Sequence, residues 1–271
     1  MTDLLCTRVA FIGAGNMAEA MVSGLRRAGV PPENIRASDI RPEQLERFRR
    51  LFGVATYAAN ADAARDADVI VLAVKPQQMA AVLPELAPFS RVALFLSIAA
   101  GIPTARLEAA LGSSARVVRA MPNTPALVGA GIAALCRGAR ATEGDLALAE
   151  ALMRAVGKTV QVEEALMDAV TAISGSGPAY VFRIMESLER AAIAQGLPSE
   201  VARQLVLATI AGAGQLAERT GRAPAELRQQ VTSKGGTTEA ALREMEVRDL
   251  DGLFAAAVAA AVRRARELAA G

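Results

Sequence analysis

The sequence predicts an α/β protein in which a doubly wound, mostly parallel sheet is followed by an all-helical domain. Short apolar runs alternate with helical patterns in the first part of the chain, which is typical of a parallel sheet with helices on both faces. A glycine-rich turn joins the first of these runs to the first helix. After Val162 the strand signals fade and long amphipathic helices follow. Because the chain has 271 residues, we expect two domains, 1–162 and 163–271.

The predicted strands of the first domain are short and mostly apolar. The run Val69–Val74 is continuously apolar, which is typical of a parallel strand buried on both faces. In chain order the predicted strands are Thr7–Ile12, Ile35–Ser38, Val54–Thr56, Val69–Val74, Val92–Ser97, Arg116–Met121, Gly131–Leu135 and Thr159–Val162.

The predicted helices of the first domain lie between these strands. Pro42 suits the first turn of a helix, and Gly29 and Gly53 follow the ends of two helices. In chain order the predicted helices are Met17–Ala28, Pro42–Leu51, Asp62–Asp66, Gln77–Leu86, Pro103–Leu111 and Thr142–Val156.

The second domain is predicted to be all helical. Ser174–Pro178 is expected to interrupt the helices, with Ser176 as the N-cap of the next helix and Pro178 in its first turn. A short helical domain with this much apolar surface usually completes its core with a second copy, so we expect a homodimer. The predicted helices are Glu163–Ile173, Ala179–Ala194, Ser199–Thr220, Pro224–Val231, Glu239–Glu246 and Asp249–Leu268.

The composition argues against several classes of function. The formal net charge is +2, and no aromatic residues are interleaved with the basic pairs, so no nucleic-acid partner is expected. The chain has no histidine, and Cys6 and Cys136 lie far apart, so neither a metal site nor a Cys-His nucleophile is expected. The segment that starts at Met1 lacks a signal-peptide pattern, and the apolar runs are too short to span a bilayer. We therefore expect a cytoplasmic protein with reduced thiols and no membrane partner.

The segment Gly13–Ala18 has the G-x-G-x-x-A pattern of a dinucleotide-binding turn, between a predicted strand and a predicted helix. Gly13 permits a tight turn, Gly15 lets the backbone approach a pyrophosphate, and Ala18 allows close packing of helix and strand. The N-terminus of the helix then offers free N–H groups to the phosphates. A plain structural turn is the alternative.

Asp39 and Arg41 follow the second predicted strand, where the ribose of a dinucleotide is recognised. An acidic residue here binds the 2′-hydroxyl and favours NAD, whereas an arginine can bind a 2′-phosphate and favours NADP. The two residues therefore give conflicting indications. The alternative is that Asp39 caps the following turn and Arg41 is solvated.

A second candidate site is Thr232–Thr238, which precedes a predicted helix. Free N–H groups around Gly235 and Gly236 would suit a small carboxylate, and Lys234 adds a positive charge. Thr237 or Thr238 is expected to cap the following helix. The alternative is a flexible linker between helices.

The chain resembles the pyrroline-5-carboxylate reductase family over essentially its whole length. The matching stretches, in the same order as in the family, are Ile12–Ala18, Leu72–Gln77, Ser97–Gly101, Arg119–Pro125, Asp168–Tyr180 and Thr232–Thr238. The resemblance implies an N-terminal Rossmann domain and a C-terminal helical domain that interlocks two subunits, often in a ring of five dimers. It implies hydride transfer from a nicotinamide cofactor to the C=N carbon of 1-pyrroline-5-carboxylate, which gives L-proline in the last step of proline synthesis.

The resemblance and the residue patterns together give the expected site residues. The pyrophosphate would lie on the loop from Gly13 to Met17, Asn60 would contact the adenosine side, and a loop of the partner subunit would hold the substrate carboxylate. Thr238 would hydrogen-bond the ring nitrogen as the catalytic residue. The expected cofactor residues are Ile12, Gly13, Ala14, Gly15, Asn16, Met17, Ser38, Asp39, Arg41, Asn60, Ala73, Val74, Lys75, Pro76, Ala99, Ala100 and Gly101. The expected substrate residues are Val231, Ser233, Gly235, Gly236, Thr237 and Thr238.

The residue chemistry favours imine reduction over carbonyl reduction. A protonated cyclic imine is already a strong electrophile, so hydride transfer requires alignment more than a strong acid. A hydroxyacid dehydrogenase would need a lysine or histidine near the nicotinamide, and no lysine lies in the long helix after residue 178. NADPH is the expected cofactor, with NADH as an alternative. The alternative functions are reduction of another cyclic imine or a short hydroxyacid, and a dinucleotide-binding sensor without turnover.

Lys234 departs from the family, which most often has proline at this position. Proline would stiffen the loop by fixing φ, whereas lysine could attract the substrate carboxylate.

Overall fold

The computed structural model describes residues 4–270 as an α/β unit and a helical unit. The first compact unit runs to Ser176 and includes the end of the chain from Ala261, and the second comprises Gly177–Ala260. The predicted fold class is confirmed. The predicted division near residue 163 remains a prediction. Part of the segment in which no signal peptide is expected, Met1–Asp3, lies outside the described residues.

An eight-stranded sheet forms the centre of the first unit, in the order β3-β2-β1-β4-β5-β6-β7-β8. Only β6 and β7 pair antiparallel, and the other neighbours are parallel. The strands are β1 Val9–Ile12, β2 Ile35–Ser38, β3 Ala55–Tyr57, β4 Val69–Leu72, β5 Leu94–Ser97, β6 Arg116–Met121, β7 Gly131–Arg137 and β8 Gly157–Gln161. All eight predicted strands are present: β2 and β6 have the predicted bounds, and the ends of the others are shifted by at most two residues.

Helices cover both faces of this sheet. They are α1 Asn16–Arg27, α2 Pro42–Phe52, α3 Asn60–Ala64, α4 Met79–Leu86, α5 Thr104–Leu111, α6 Glu143–Arg154 and α7 Met167–Val170. Alternate strand residues point to opposite faces and form two apolar layers. Phe11 and Val71 belong to the layer that contains Met21 of α1 and Leu152 of α6. The opposite layer contains the strand residues that alternate with those of the first layer, together with apolar residues of α3, α4 and α5.

The second unit consists of helices α8 Gly177–Ala194, α9 Ser199–Thr220, α10 Pro224–Gln230, α11 Thr237–Val247 and most of α12, which spans Leu250–Ala270. Helix α8 packs against α9. Many large apolar side chains of this unit remain exposed, among them Phe182, Leu205 and Leu253. This unit therefore does not bury a complete apolar core by itself.

The expected interruption at Ser174–Pro178 is present but shorter than predicted, because a bend at Ser176 alone separates the preceding helical turn from α8. The chain continues from α7 as a π-helical turn over Thr171–Gly175, and α8 begins two residues later. The hydroxyls of Thr171 and Ser174 donate to carbonyls one turn earlier, at 2.8 and 3.1 Å, and help to satisfy this turn. Ser176 has a helical backbone rather than the extended conformation typical of an N-cap. Pro178 does lie in the first turn of α8, as predicted.

None of the helices within residues 4–270 is both long enough and apolar enough to cross a membrane.

Candidate functional site

The glycine turn after β1 lies where the order of the sheet reverses. The chain runs outward from β1 through β2 to β3 and then returns to β4 on the other side of β1. Ligands of open α/β sheets bind beyond the carboxyl ends of the strands at such a switch point. The Gly13 amide donates to Ser38 at 2.8 Å, and the Ala73 amide donates to Ile12 at 2.8 Å. The loops after β1, β2 and β4 therefore converge at one edge of the sheet.

Gly13 is required by both conformation and space. Its φ of +102° is strained for other residues, and a Cβ at this position would lie 2.8 Å from the Ala73 carbonyl oxygen. At Gly15, by contrast, a Cβ would have no neighbour within 4 Å, so the turn is open on the side where a ligand could approach.

The N-terminus of α1 offers backbone donors at this turn. Gly15 is the N-cap, it has no side chain to cap the helix, and its carbonyl accepts the first helical bond from Glu19. Among the described hydrogen bonds, the N–H groups of Asn16 and Met17 have no protein acceptor. These two amides, at the positive end of the helix dipole, form a suitable site for a phosphate.

A cleft of about 270 Å³ lies beside the glycine turn. It brings together eight residues that the sequence predicted for the cofactor: Gly13, Gly15, Asp39, Arg41, Asn60, Ala73, Val74 and Lys75. It also contains Ile40, Gln78 and Val82, which sequence reasoning missed. Ile40 could have been found because it lies between two predicted residues. Gln78 and Val82 lie just beyond the predicted loop after β4, where the sequence carries no distinct signal.

The remaining predicted cofactor residues do not line this cleft. Ile12, Ala14 and Ser38 are buried, so they could contact a ligand only through backbone atoms or support the residues that contact it. Pro76 and Ala100 instead line a separate groove of about 700 Å³, together with residues of α4, α5 and the end of α12. Ala99 is buried, and Gly101 packs near Leu268.

Asp39 is held by the glycine turn and by Arg41. Its Oδ2 accepts the Ala14 amide at 2.9 Å, and its Oδ1 accepts the Arg41 amide at 2.9 Å. The Arg41 guanidinium donates to both carboxylate oxygens. Burial alone would raise the pKa of Asp39, but the hydrogen bonds from Arg41 and Ala14 outweigh it, so the pKa lies below its ordinary value of 3.8. Asp39 is therefore ionised at neutral pH, and its negative charge is balanced by Arg41.

Two further polar groups border the cleft. Asn60 accepts a hydrogen bond from the Ser38 hydroxyl at 2.8 Å and donates to Glu85 at 2.9 Å, so its amide is fixed in orientation. The Lys75 amide donates to the Gln78 side chain at 3.2 Å. The Lys75 ammonium has no partner among the described residues, so it is free to meet a phosphate.

The predicted substrate loop lies in the second unit, between α10 and α11. The glycine amides are already used: Gly235 donates to Glu239 at 2.7 Å, and Gly236 donates to Ser233 at 3.0 Å. The expected free N–H groups therefore belong to neighbouring residues of the loop and not to Gly235 and Gly236 themselves. Among the described hydrogen bonds, no protein acceptor is found for the amides of Ser233, Lys234, Thr237, Thr238 and Glu239.

The expected cap of α11 is wrong. Gly236 is the N-cap, and Thr237 and Thr238 are the first two residues of the helix. No side chain caps this terminus, so its donors and its positive dipole end face outward from the loop. Thr238 is half-buried, whereas Ser233, Lys234 and Val231 are exposed. The arrangement suits a small carboxylate beside a threonine hydroxyl.

Within residues 4–270 there is no group of three or more His, Cys, Asp or Glu side chains that could hold a metal ion. Neither Cys6 nor Cys136 is in a disulfide bond.

The fold and the cleft define a dinucleotide-binding protein of the Rossmann class. A family model described as pyrroline-5-carboxylate reductase dimerisation matches residues 164–268, and one described as NADP oxidoreductase, coenzyme F420-dependent, matches residues 8–101. A pyrroline-5-carboxylate reductase of Pseudomonas aeruginosa is 47% identical to this chain, over 97% of each. The chain belongs to the pyrroline-5-carboxylate reductase family.

Solved structures agree with this assignment. A pyrroline-5-carboxylate reductase from Coxiella burnetii matches with a TM-score of 0.92 at 42% identity, over 97% of this chain and 98% of that one. The Plasmodium falciparum pyrroline carboxylate reductase with NADP bound matches with a TM-score of 0.88 at 30% identity, over 98% of this chain and 99% of that one.

Proposed function

We propose that this chain reduces 1-pyrroline-5-carboxylate to L-proline with hydride from a nicotinamide dinucleotide, as the last step of proline biosynthesis. The observation that carries the proposal is the match to pyrroline-5-carboxylate reductases over nearly the whole length of both chains. The dinucleotide cleft after β1 and the uncapped N-terminus of α11 support it independently. We assign dinucleotide binding to residues 1–162 and dimerisation with substrate binding to residues 163–271.

The residues of the cleft fit a dinucleotide. The free amides of Asn16 and Met17 would hold the pyrophosphate, and Lys75 would add a positive charge. The bound cofactor supplies the hydride. The loops that contain Ala73–Pro76 and Ala99–Gly101 would orient the nicotinamide end, while Asn60 would meet the adenosine side.

We assign a preference for NADPH over NADH, with NADH as a weaker alternative. The Asp39 carboxylate accepts bonds from Ala14 and Arg41, so it offers little free acceptor to a ribose 2′-hydroxyl. Arg41 lines the same cleft and remains half-exposed, and a guanidinium in this position suits a 2′-phosphate.

The substrate carboxylate would bind at the N-terminus of α11. The amides of Thr237 and Thr238 supply donors, and the Ser233 hydroxyl and the Lys234 ammonium lie on the same short loop. Val231 precedes this loop and is 65% exposed, which makes it available as an apolar neighbour of the substrate ring. Gly235 and Gly236 shape the loop through their bonds to Glu239 and Ser233.

The Thr238 hydroxyl would hydrogen-bond the ring nitrogen. During the reaction the hydride adds to the C=N carbon, and the nitrogen becomes a secondary amine with one proton from the protonated imine or from solvent. A protonated imine is a strong electrophile, so the residues contribute chiefly by positioning, which can lower the barrier by several kcal/mol. No stronger acid than a hydroxyl is required.

We also propose a homodimer, and a ring of five dimers as the larger assembly. The exposed apolar side chains of α8, α9 and α12 support the dimer, because an isolated unit of this size would leave its core incomplete. We propose a cytoplasmic location.

A panel of substrates tests the assignment. Specificity constants should be measured for 1-pyrroline-5-carboxylate, a six-membered cyclic imine and a short 2-oxo acid, each with NADPH. We expect 1-pyrroline-5-carboxylate to be the best substrate by at least about tenfold. A better constant for another compound would reassign the substrate, and tight NADPH binding without turnover of any compound would indicate a sensor.

A further inference from the structure

A carboxylate outside the cofactor cleft links three distant parts of the first unit. Glu164, just before α7, accepts the Thr104 amide on Oε1 at 2.8 Å and the Thr104 hydroxyl on Oε2 at 2.6 Å. Its Oε1 also accepts Nη1 of Arg119 at 3.2 Å. Thr104 and Arg119 are each only 4% exposed, whereas the Glu164 side chain is 31% exposed, so in this cluster a partly exposed carboxylate binds two buried residues.

Glu164 caps helix α5 from a distance of 60 residues in sequence. The N-cap position of α5 is Pro103, whose side chain has no hydrogen-bond acceptor, and Thr104 is the first residue of the helix. The first N–H groups of a helix need an acceptor from outside the helix. Glu164 supplies that acceptor, together with a negative charge at the positive end of the helix dipole.

Glu164 is also the counter-charge of a buried arginine. Removing one member of a buried ion pair is costly, because the other charge is left without compensation. Arg119 has little other support: its Nη2 has no hydrogen-bond partner among the described residues. The hydroxyl of Ser97, its in-register neighbour on β5, also lacks a partner there.

Residues of this cluster lie beside the two ends of one loop of the proposed cofactor site. Residues 98–103 join β5 to α5, and they include Ala99–Gly101. At one end lies Ser97, beside Arg119, and at the other end lies Thr104, bonded to Glu164. Gly101, within the loop, has a φ of +75°, which residues other than glycine rarely adopt. We therefore expect the loop to keep this conformation only while both of its ends are held in place.

We propose that Glu164 is a positioning residue for cofactor binding. By fixing Thr104 and Arg119, it holds residues 98–103 in the conformation that receives the dinucleotide. Glu164 itself does not line the cofactor cleft, so it acts through the loop. The inference rests on the proposed function, because the role of Ala99–Gly101 is part of that proposal.

The test compares Glu164→Ala with Glu164→Gln and with Glu163→Ala. Gln keeps an acceptor for the Thr104 amide, and Glu163 is an exposed neighbour whose side chain forms no hydrogen bond or ion pair among the described residues. The Kd of NADPH is measured by titration of its fluorescence, alongside the KM values for both substrates, at a temperature where all variants are folded.

We expect Glu164→Ala to raise the Kd and KM of NADPH at least about tenfold, because misplaced binding groups lose affinity steeply. Glu164→Gln keeps an acceptor for Thr104 but removes the counter-charge of Arg119, so its Kd and KM for NADPH should lie between those of the wild type and those of Glu164→Ala. The KM for 1-pyrroline-5-carboxylate should change less than about twofold in every variant, since this loop is assigned to the cofactor alone. Glu163→Ala should behave as the wild type.

A folded Glu164→Ala protein with wild-type affinity for NADPH would overturn the inference, as would an equal rise in the KM values of both substrates. If Glu164→Ala does not fold, Thr104→Val tests the inference in its place. This variant removes the hydroxyl donor to Glu164 and should raise the Kd of NADPH about threefold. Thr104→Ser keeps the donor and should leave the Kd unchanged. An unchanged Kd in Thr104→Val would then overturn the inference. A wild type that binds NADPH without turning over 1-pyrroline-5-carboxylate would refute the proposed function instead, and the Kd series would still decide the role of Glu164.

Discussion

The carboxylate of Asp39 lies within the fork of the Arg41 guanidinium. Nε donates to Oδ1 at 3.0 Å and Nη2 donates to Oδ2 at 3.1 Å. The Asp39 side chain is 7% exposed, whereas that of Arg41 is 49% exposed. The acidic residue that could select NAD is thus engaged by the basic residue that could select NADP.

Arg41→Ala should shift the cofactor preference towards NADH. The substitution removes a cation from the cleft and frees the Asp39 carboxylate, which would then repel a 2′-phosphate and accept a 2′-hydroxyl. We expect the KM for NADPH to rise about tenfold, as for loss of a charge-assisted hydrogen bond, while the KM for NADH stays constant or falls. Arg47→Ala is the control, because Arg47 pairs with Glu19 and does not line the cleft. Equal changes for both cofactors would contradict the role of Arg41.

Thr238→Ala should lower turnover and leave cofactor binding intact. The hydroxyl is assigned to the ring nitrogen, and loss of one such bond in the transition state typically costs about a hundredfold in kcat. The measurement is kcat together with the Kd of NADPH. Thr220→Ala is the control, because the Thr220 hydroxyl donates within its own helix to Leu216 at 2.7 Å. A weaker Kd for NADPH with an unchanged kcat would show that the assignment of Thr238 is wrong.

Lys234→Gln should raise the KM for 1-pyrroline-5-carboxylate without changing kcat. The ammonium is exposed and has no partner among the described residues, so it can attract the substrate carboxylate through solvent. An exposed charge pair of this kind is worth about 0.2–1 kcal/mol, so the expected rise is about 1.4- to fivefold. In the wild type this KM should increase with ionic strength, and the increase should be smaller in the variant. Identical salt dependence in the two proteins would exclude the electrostatic role.

Cys136 should resist alkylation in the folded protein. Burial raises the pKa of its thiol to about 12, and the nearby Glu164 contributes to the rise. Cys6 is exposed, so iodoacetamide at pH 8 should label Cys6 first, and Cys136 only after unfolding. Mass spectrometry of native and denatured samples measures this directly. Equal labelling of both thiols in the native protein would contradict the burial of Cys136.

The same pKa shift gives a prediction about stability. The folded state keeps the Cys136 proton up to about pH 12, whereas an unperturbed thiol releases it near pH 9.0. This group therefore favours the folded state fully below pH 9.0, and its contribution is lost as the pH rises towards 12. Urea unfolding should show a steeper loss of stability above pH 9 for the wild type than for Cys136→Ala. Parallel curves would argue against the shift.

Local sequence signals predicted much of this fold. The turn chemistry of Gly13 and the apolar run of β4 are properties of a few adjacent residues, and both were predicted correctly. The strand ends were less accurate: the strand predicted to end at Val74 ends at Leu72, because the following residues turn into the cleft. The break predicted at Ser174–Pro178 was too long, because threonine and serine hydroxyls help to satisfy a π turn that extends to Gly175, which composition alone does not reveal.

Interactions between distant residues could not be predicted from the sequence. The bond between Glu164 and Thr104 spans 60 residues, and its partners carry no shared motif. The same holds for the bond from Ala14 to Asp39, which depends on the strand order that places β2 beside β1. The proposed substrate loop does lie between two helices, as predicted, but the use of its glycine amides by Glu239 and Ser233 required the structure.

The central claim is that this chain forms proline from 1-pyrroline-5-carboxylate at the expense of a nicotinamide cofactor. The most direct test is to measure initial rates with this substrate in parallel reactions with NADPH and NADH, with quantification of L-proline at the end. We expect oxidation of cofactor that depends on the substrate, formation of one proline per cofactor oxidised, and a higher specificity constant for NADPH. Absence of turnover with both cofactors would contradict the account.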